Sequence, residues 1–90
     1  MDDHLVEEIE EIEKIKARWI WLLKRQQQLL DLIYVHEYTI RKLMQVTPQE
    51  PCVAQQIQQR NLTVKGHKEE LAVVNKEIRR FNEAVDEIRR

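Results

Sequence analysis

Histidine and cysteine are the side chains best suited to proton transfer, metal ligation and nucleophilic attack near neutral pH, and this 90-residue chain holds His4, His36, His67 and Cys52. Their spacing assigns them none of those tasks. No His-x3-His or Cys-x2-Cys pattern brings two ligands onto one metal, and nothing in the sequence supplies four ligands at one site. The seven acids of residues 2–13 (Asp2, Asp3, Glu7, Glu8, Glu10, Glu11 and Glu13) are an equally poor catalytic set. A general acid and base need an enclosed site that pulls their pKa values apart, whereas an unbroken run of acids at a helix start is a solvated face that the macrodipole favours. There is no glycine-rich phosphate loop and no nucleophile turn. The expectation is a chain that is not an enzyme and takes no cofactor and no metal. One property remains open to His36 and His67: imidazoles one layer apart in a hairpin form a pH-sensitive pair, since protonating both sets like charges together beside Arg60.

The elements that position these residues are written in apolar periodicity. Ile12, Ile15, Trp19, Leu22, Gln26, Leu29, Ile33, His36, Ile40 and Leu43 recur at alternating intervals of three and four. Ile57, Arg60, Val64, His67, Leu71, Val74, Ile78, Phe81, Val85 and Ile88 do the same. Folding the chain back near Glu50 sets Leu43 opposite Ile57, Leu22 opposite Ile78, Trp19 opposite Phe81 and Ile12 opposite Ile88. Each a position then meets a d position, as an antiparallel coiled coil requires. With 34% charged residues, one Gly and two Pro, the composition suits long helices. The sequence therefore predicts an all-α fold: one domain, 1–90, forming an antiparallel two-helix coiled-coil hairpin that dimerises into a four-helix bundle. Helix 1 is expected over about 3–46, started by Asp2 and Asp3 and stopped at Thr47-Pro48. The turn follows over about 47–51, and helix 2 over about 52–89, with Gly66 a weak point costing about 1 kcal/mol relative to Ala.

Gln26, His36, Arg60 and His67 interrupt the ladders with polar groups, opposite Val74, Val64, Ile40 and Ile33 respectively. Such residues set register and oligomeric state at a cost in stability. Three of the four lie toward the turn, so that half is expected to be the looser one. Trp19, opposite Phe81, is expected to be a core aromatic.

Helix 1 carries more apolar surface than one seam uses. A second stripe runs through Ile9, Ile20, Leu23, Leu30, Tyr34 and Met44, with Trp21 and Val35 further round the helix. Helix 2 has little to match it beyond Leu62 and Val73. A two-helix chain cannot cover both faces, so the expected partner is a second copy, giving a homodimer, or a coiled-coil or other helical protein docked on helix 1. The expected role is that of a non-catalytic scaffold or adaptor. The segment Arg18-Trp19-Ile20-Trp21-Leu22-Leu23 and the stretch from Gly66 to Ile88 resemble helices of spectrin-type repeats, where a tryptophan packs inside a three-helix bundle. That resemblance implies a third helix supplied by a partner chain, and a cytoskeletal or scaffold setting.

Nucleic acid and membranes are the other partner classes open to a helical chain. Lys14, Lys16, Arg18, Lys24 and Arg25, with Arg79 and Arg80 across the hairpin, would let a helical arm grip nucleic acid. The net charge of −1, the acidic start and a pairing of Arg25 with Glu77 across the seam disfavour it. No apolar run is long enough to span a bilayer and no secretory signal core is present, so the expectation is no membrane insertion and an intracellular, cytoplasmic location. A lone Cys52 agrees, and the Asn61-Leu62-Thr63 sequon is discounted because it lies inside a helix.

Overall fold

A computed structural model describes residues 3–45 and 50–89 of the chain. Two helices account for nearly all of them: α1 spans Asp3–Met44 and α2 spans Pro51–Arg89. No strand occurs among the described residues. The expected Asp2 cap, the last turn of helix 1 at Val46, the Thr47-Pro48 stop and Arg90 lie outside them. α2 begins at Pro51, one residue earlier than expected, because proline suits the first helical position, where no N–H partner is needed. The Glu50 carbonyl accepts from the Val53 and Ala54 amides at 2.9 and 3.2 Å and so closes the first turn.

The two helices lie antiparallel as a hairpin, 72 × 27 × 14 Å along its principal axes. Burial follows the ladders. Every ladder residue from Leu22 to Leu43, and from Ile57 to Phe81, is buried or half-buried. Leu22, Leu29 and Val74 form one core cluster with Leu71, Ile78 and Phe81 packed against it. Ile33, Ile40 and Val64 form a second, with Ile57 and Leu71 against it. Leu22 and Leu29 are the two fully enclosed side chains, at 1% and 0% exposure.

The free ends depart from expectation. Ile12, Ile15 and Ile88 are 63%, 51% and 85% exposed, and Trp19 is 38% exposed instead of sealed in a core. Ile12, Ile15, Trp19, Phe81 and Val85 line an open cleft of about 700 Å³ there. The looser half is therefore the open end, and the turn half is the closed one. Three cross-helix ion pairs flank the buried stretch, and Lys16, Asp86 and Arg89 border the cleft.

Truncating the sealed layer should consequently hurt far more than truncating the open one. Leu29→Ala is expected to cost about 2–5 kcal/mol, and Ile12→Ala about 1 kcal/mol or less. Gly66 lies within the continuous α2 and a Cβ there meets nothing within 4 Å. Gly66→Ala should then add roughly 1 kcal/mol, the difference in helix propensity. Urea unfolding followed by far-UV circular dichroism at one fixed protein concentration measures all three.

Candidate interaction surface

The seam's polar groups lock α1 and α2 at one level. Arg18 donates to Glu77 at 2.9 Å, Arg25 forms a two-pronged bond with Glu70 through Nε and Nη2, and Lys68 meets Glu37 at 3.0 Å. Arg25 therefore pairs with Glu70 and not with Glu77. The reason is collective. Arg18 and Arg25 sit seven residues apart on one flank, as do Glu70 and Glu77, and the observed choice pairs both arginines. Pairing Arg25 with Glu77 would shift that flank by one heptad and leave Arg18 facing Ala84 and Glu70 facing Leu32. Within the seam, Gln26 donates to Asn75 at 2.7 Å. Arg60 Nη1 lies 3.1 Å from His36 Nδ1, and because guanidinium only donates, Nδ1 is the acceptor. The His36 and His67 rings stack with centroids 5.9 Å apart, so both imidazoles and Arg60 share one stretch of the seam. Among the described residues no buried side-chain polar atom lacks a partner.

The outer face of α1 is different in kind. Leu23, Ile20, Leu30, Ile9, Met44 and Tyr34 are between 37% and 65% exposed, in rising order with Leu23 lowest and Tyr34 highest. Trp21 and Val35 are about half exposed, on a neighbouring row. α2 covers the seam side of α1 and leaves this side open. The Arg18 guanidinium lies 4.7 Å from the Trp21 ring centroid, so this cation is shared between a carboxylate and an indole. Tyr34 stacks on Tyr38, centroids 6.5 Å apart, and the Lys42 ammonium approaches Tyr38 at 5.5 Å. Leu5, Val6, Leu32 and Tyr38 add exposed apolar or aromatic surface that the ladder reading missed. Tyr38 was detectable from its spacing of four after Tyr34, which puts both rings on one side of a helix. On α2, Leu62 and Val73 stand exposed as isolated residues.

Of the basic cluster on α1, Arg18 and Arg25 are already held by carboxylates, which reduces the charge available to a phosphate backbone. No group of three His, Cys, Asp or Glu converges among the described residues. No helix among them is long and apolar enough to cross a membrane.

Hydrogen bonding from Arg25 holds the Glu70 carboxyl below the usual glutamate range, against an opposing contribution from desolvation and with help from the charges of Arg25 and His67. The same bond pushes Arg25 up. A carboxyl whose folded pKa is depressed stabilises the fold above its unfolded pKa, and that contribution is lost as the pH falls through the folded value. Carboxyl NMR titration should therefore show Glu70 protonating below the usual glutamate range, and Arg25→Ala should move its titration back up toward that range.

Comparison with protein-family models, curated proteins and solved structures finds no match. The likeness of the tryptophan segment to spectrin-type helices rests on those residues alone.

Proposed function

We propose that the chain is a non-catalytic helical interaction module, a scaffold or adaptor that associates through the outer face of α1 with a second copy or with another helical protein. One observation carries this reading: six large apolar residues of one stripe, Ile9, Ile20, Leu23, Leu30, Tyr34 and Met44, interspersed with polar and charged ones, stay 37% or more exposed on a helix whose seam face is already used. Fully burying a large apolar side chain is worth about 1.5–3 kcal/mol, so covering this half-exposed stripe offers on the order of 5–10 kcal/mol before the costs of association. Soluble proteins seldom leave such a stripe unused. Trp21 and Tyr34 supply the aromatic anchors in which interfaces concentrate their energy. Gln26, His36, Arg60 and His67 serve the fold by fixing the level of α2 against α1, so that the face is presented on a straight, defined rod.

The paired substitutions Leu23→Glu and Leu30→Glu test the assignment. Light scattering should show the associated species replaced by the 11.0 kDa monomer, while far-UV circular dichroism keeps its helical amplitude. Loss of helix at unchanged mass would mean instead that the stripe belongs to the intrachain core.

A further inference from the structure

The outer face of α1 is self-complementary when turned end for end. Resting on the reading of that face as an association surface, we infer that its occupant is a second copy of this chain, its α1 antiparallel to the first and centred on Gln26 and Gln27.

Charge sets the orientation. Asp3, Glu7, Glu8, Glu10, Glu11 and Glu13 give the start of α1 one sign, and Arg41 and Lys42 give its last turn the other. A parallel copy would lay acid on acid for several turns. An antiparallel copy lays the acidic start of each α1 along the basic end of the other.

The register then follows from the stripe itself, which is two parallel rows of positions, each repeating every seven residues. About a centre at Gln26 and Gln27, the first row matches Ile9 with Met44, Lys16 with Glu37, and Leu23 with Leu30. The second row, centred on Gln27 and so offset from the first by half a residue, or about 0.8 Å, matches Glu13 with Arg41 and Ile20 with Tyr34, and sets Gln27 against its own symmetry mate. Every pair joins apolar to apolar or acid to base, apart from the glutamine on the axis. Because a two-fold axis relates the helices, each unlike pair occurs twice. Glu37 already meets Lys68 of its own chain through Oε1, so Lys16 of the second copy would complete a three-charge group on this carboxylate. Sliding the copies by one heptad destroys the match, since Glu37 would then face Ile9 or Leu23.

Nitroxide labels read the orientation directly. In a Cys52→Ser background, one label is placed at Gln28→Cys and, in a separate protein, one at Lys14→Cys; both positions lie on the lengthwise row of Trp21 and Val35, beside the two rows of the stripe. At a rise of 1.5 Å per residue, antiparallel copies put the labels at position 28 almost level and those at 14 about 40 Å apart along the rod. Pulsed dipolar spectroscopy should then give a label-to-label distance at 14 longer by roughly 20 Å than at 28, once the sideways separation is included. Equal distances at both positions would overturn the antiparallel inference while leaving the association surface intact. Dimeric mass with neither label pair within range, or the 11.0 kDa mass with no dipolar signal, would overturn the inference and remove the face from use by a second copy. A charge exchange provides the independent check. Glu13→Arg and Arg41→Glu should each weaken the dimer several-fold, and the two together should restore it; a double variant no better than the singles contradicts the register.

Discussion

A pair of helices has one seam, and one seam covers one face of each helix. That constraint governs this molecule. α2 is apolar along a single side and spends it on α1, and its remaining surface is Gln, Lys, Glu, Asn and Arg with two isolated exceptions, Leu62 and Val73. α1 is apolar along two sides, so the hairpin that satisfies one of them turns the other toward solvent. The cost of the open side is built into the chain, because no rearrangement of two helices hides three apolar faces in one interface.

What makes the open face usable is the firmness of the seam behind it. Leu22 and Leu29 are sealed, and three cross-helix ion pairs with the Gln26–Asn75 and His36–Arg60 contacts fix the helices at one level. The polar seam residues do not loosen the turn half, because each finds a partner across the seam or, for His67, stacks on His36. At the open end the apolar residues part, and Ile12, Ile15, Trp19, Phe81 and Val85 line a cleft that Lys16, Asp86 and Arg89 border.

The sequence stated the fold plainly because a coiled coil is a one-dimensional problem. Spacings of three and four give the face, and the mirrored ladders about Glu50 give the pairing, with no need to weigh long-range topology. Ile12, Trp19 and Ile88 obeyed the same spacing yet stand exposed, since periodicity names the side of a helix and says nothing of whether the partner helix closes over it. The Arg25 pairing was hidden for a related reason. Each arginine has two glutamates within reach of its flank, and only the choice that serves Arg18 as well singles out Glu70. The outer stripe of α1 was visible as surplus apolar residues, and its exposure follows from subtraction. Tyr38 and Leu32 escaped notice because they extend the surface beyond the two rows that heptad counting inspects.

The most direct test of the claim that a second copy covers α1 is the solution mass of the full chain by sedimentation equilibrium over a wide concentration range. The account predicts a mass that rises with concentration from 11.0 kDa toward twice that value, or that already sits there. A mass fixed at 11.0 kDa at every concentration would contradict it.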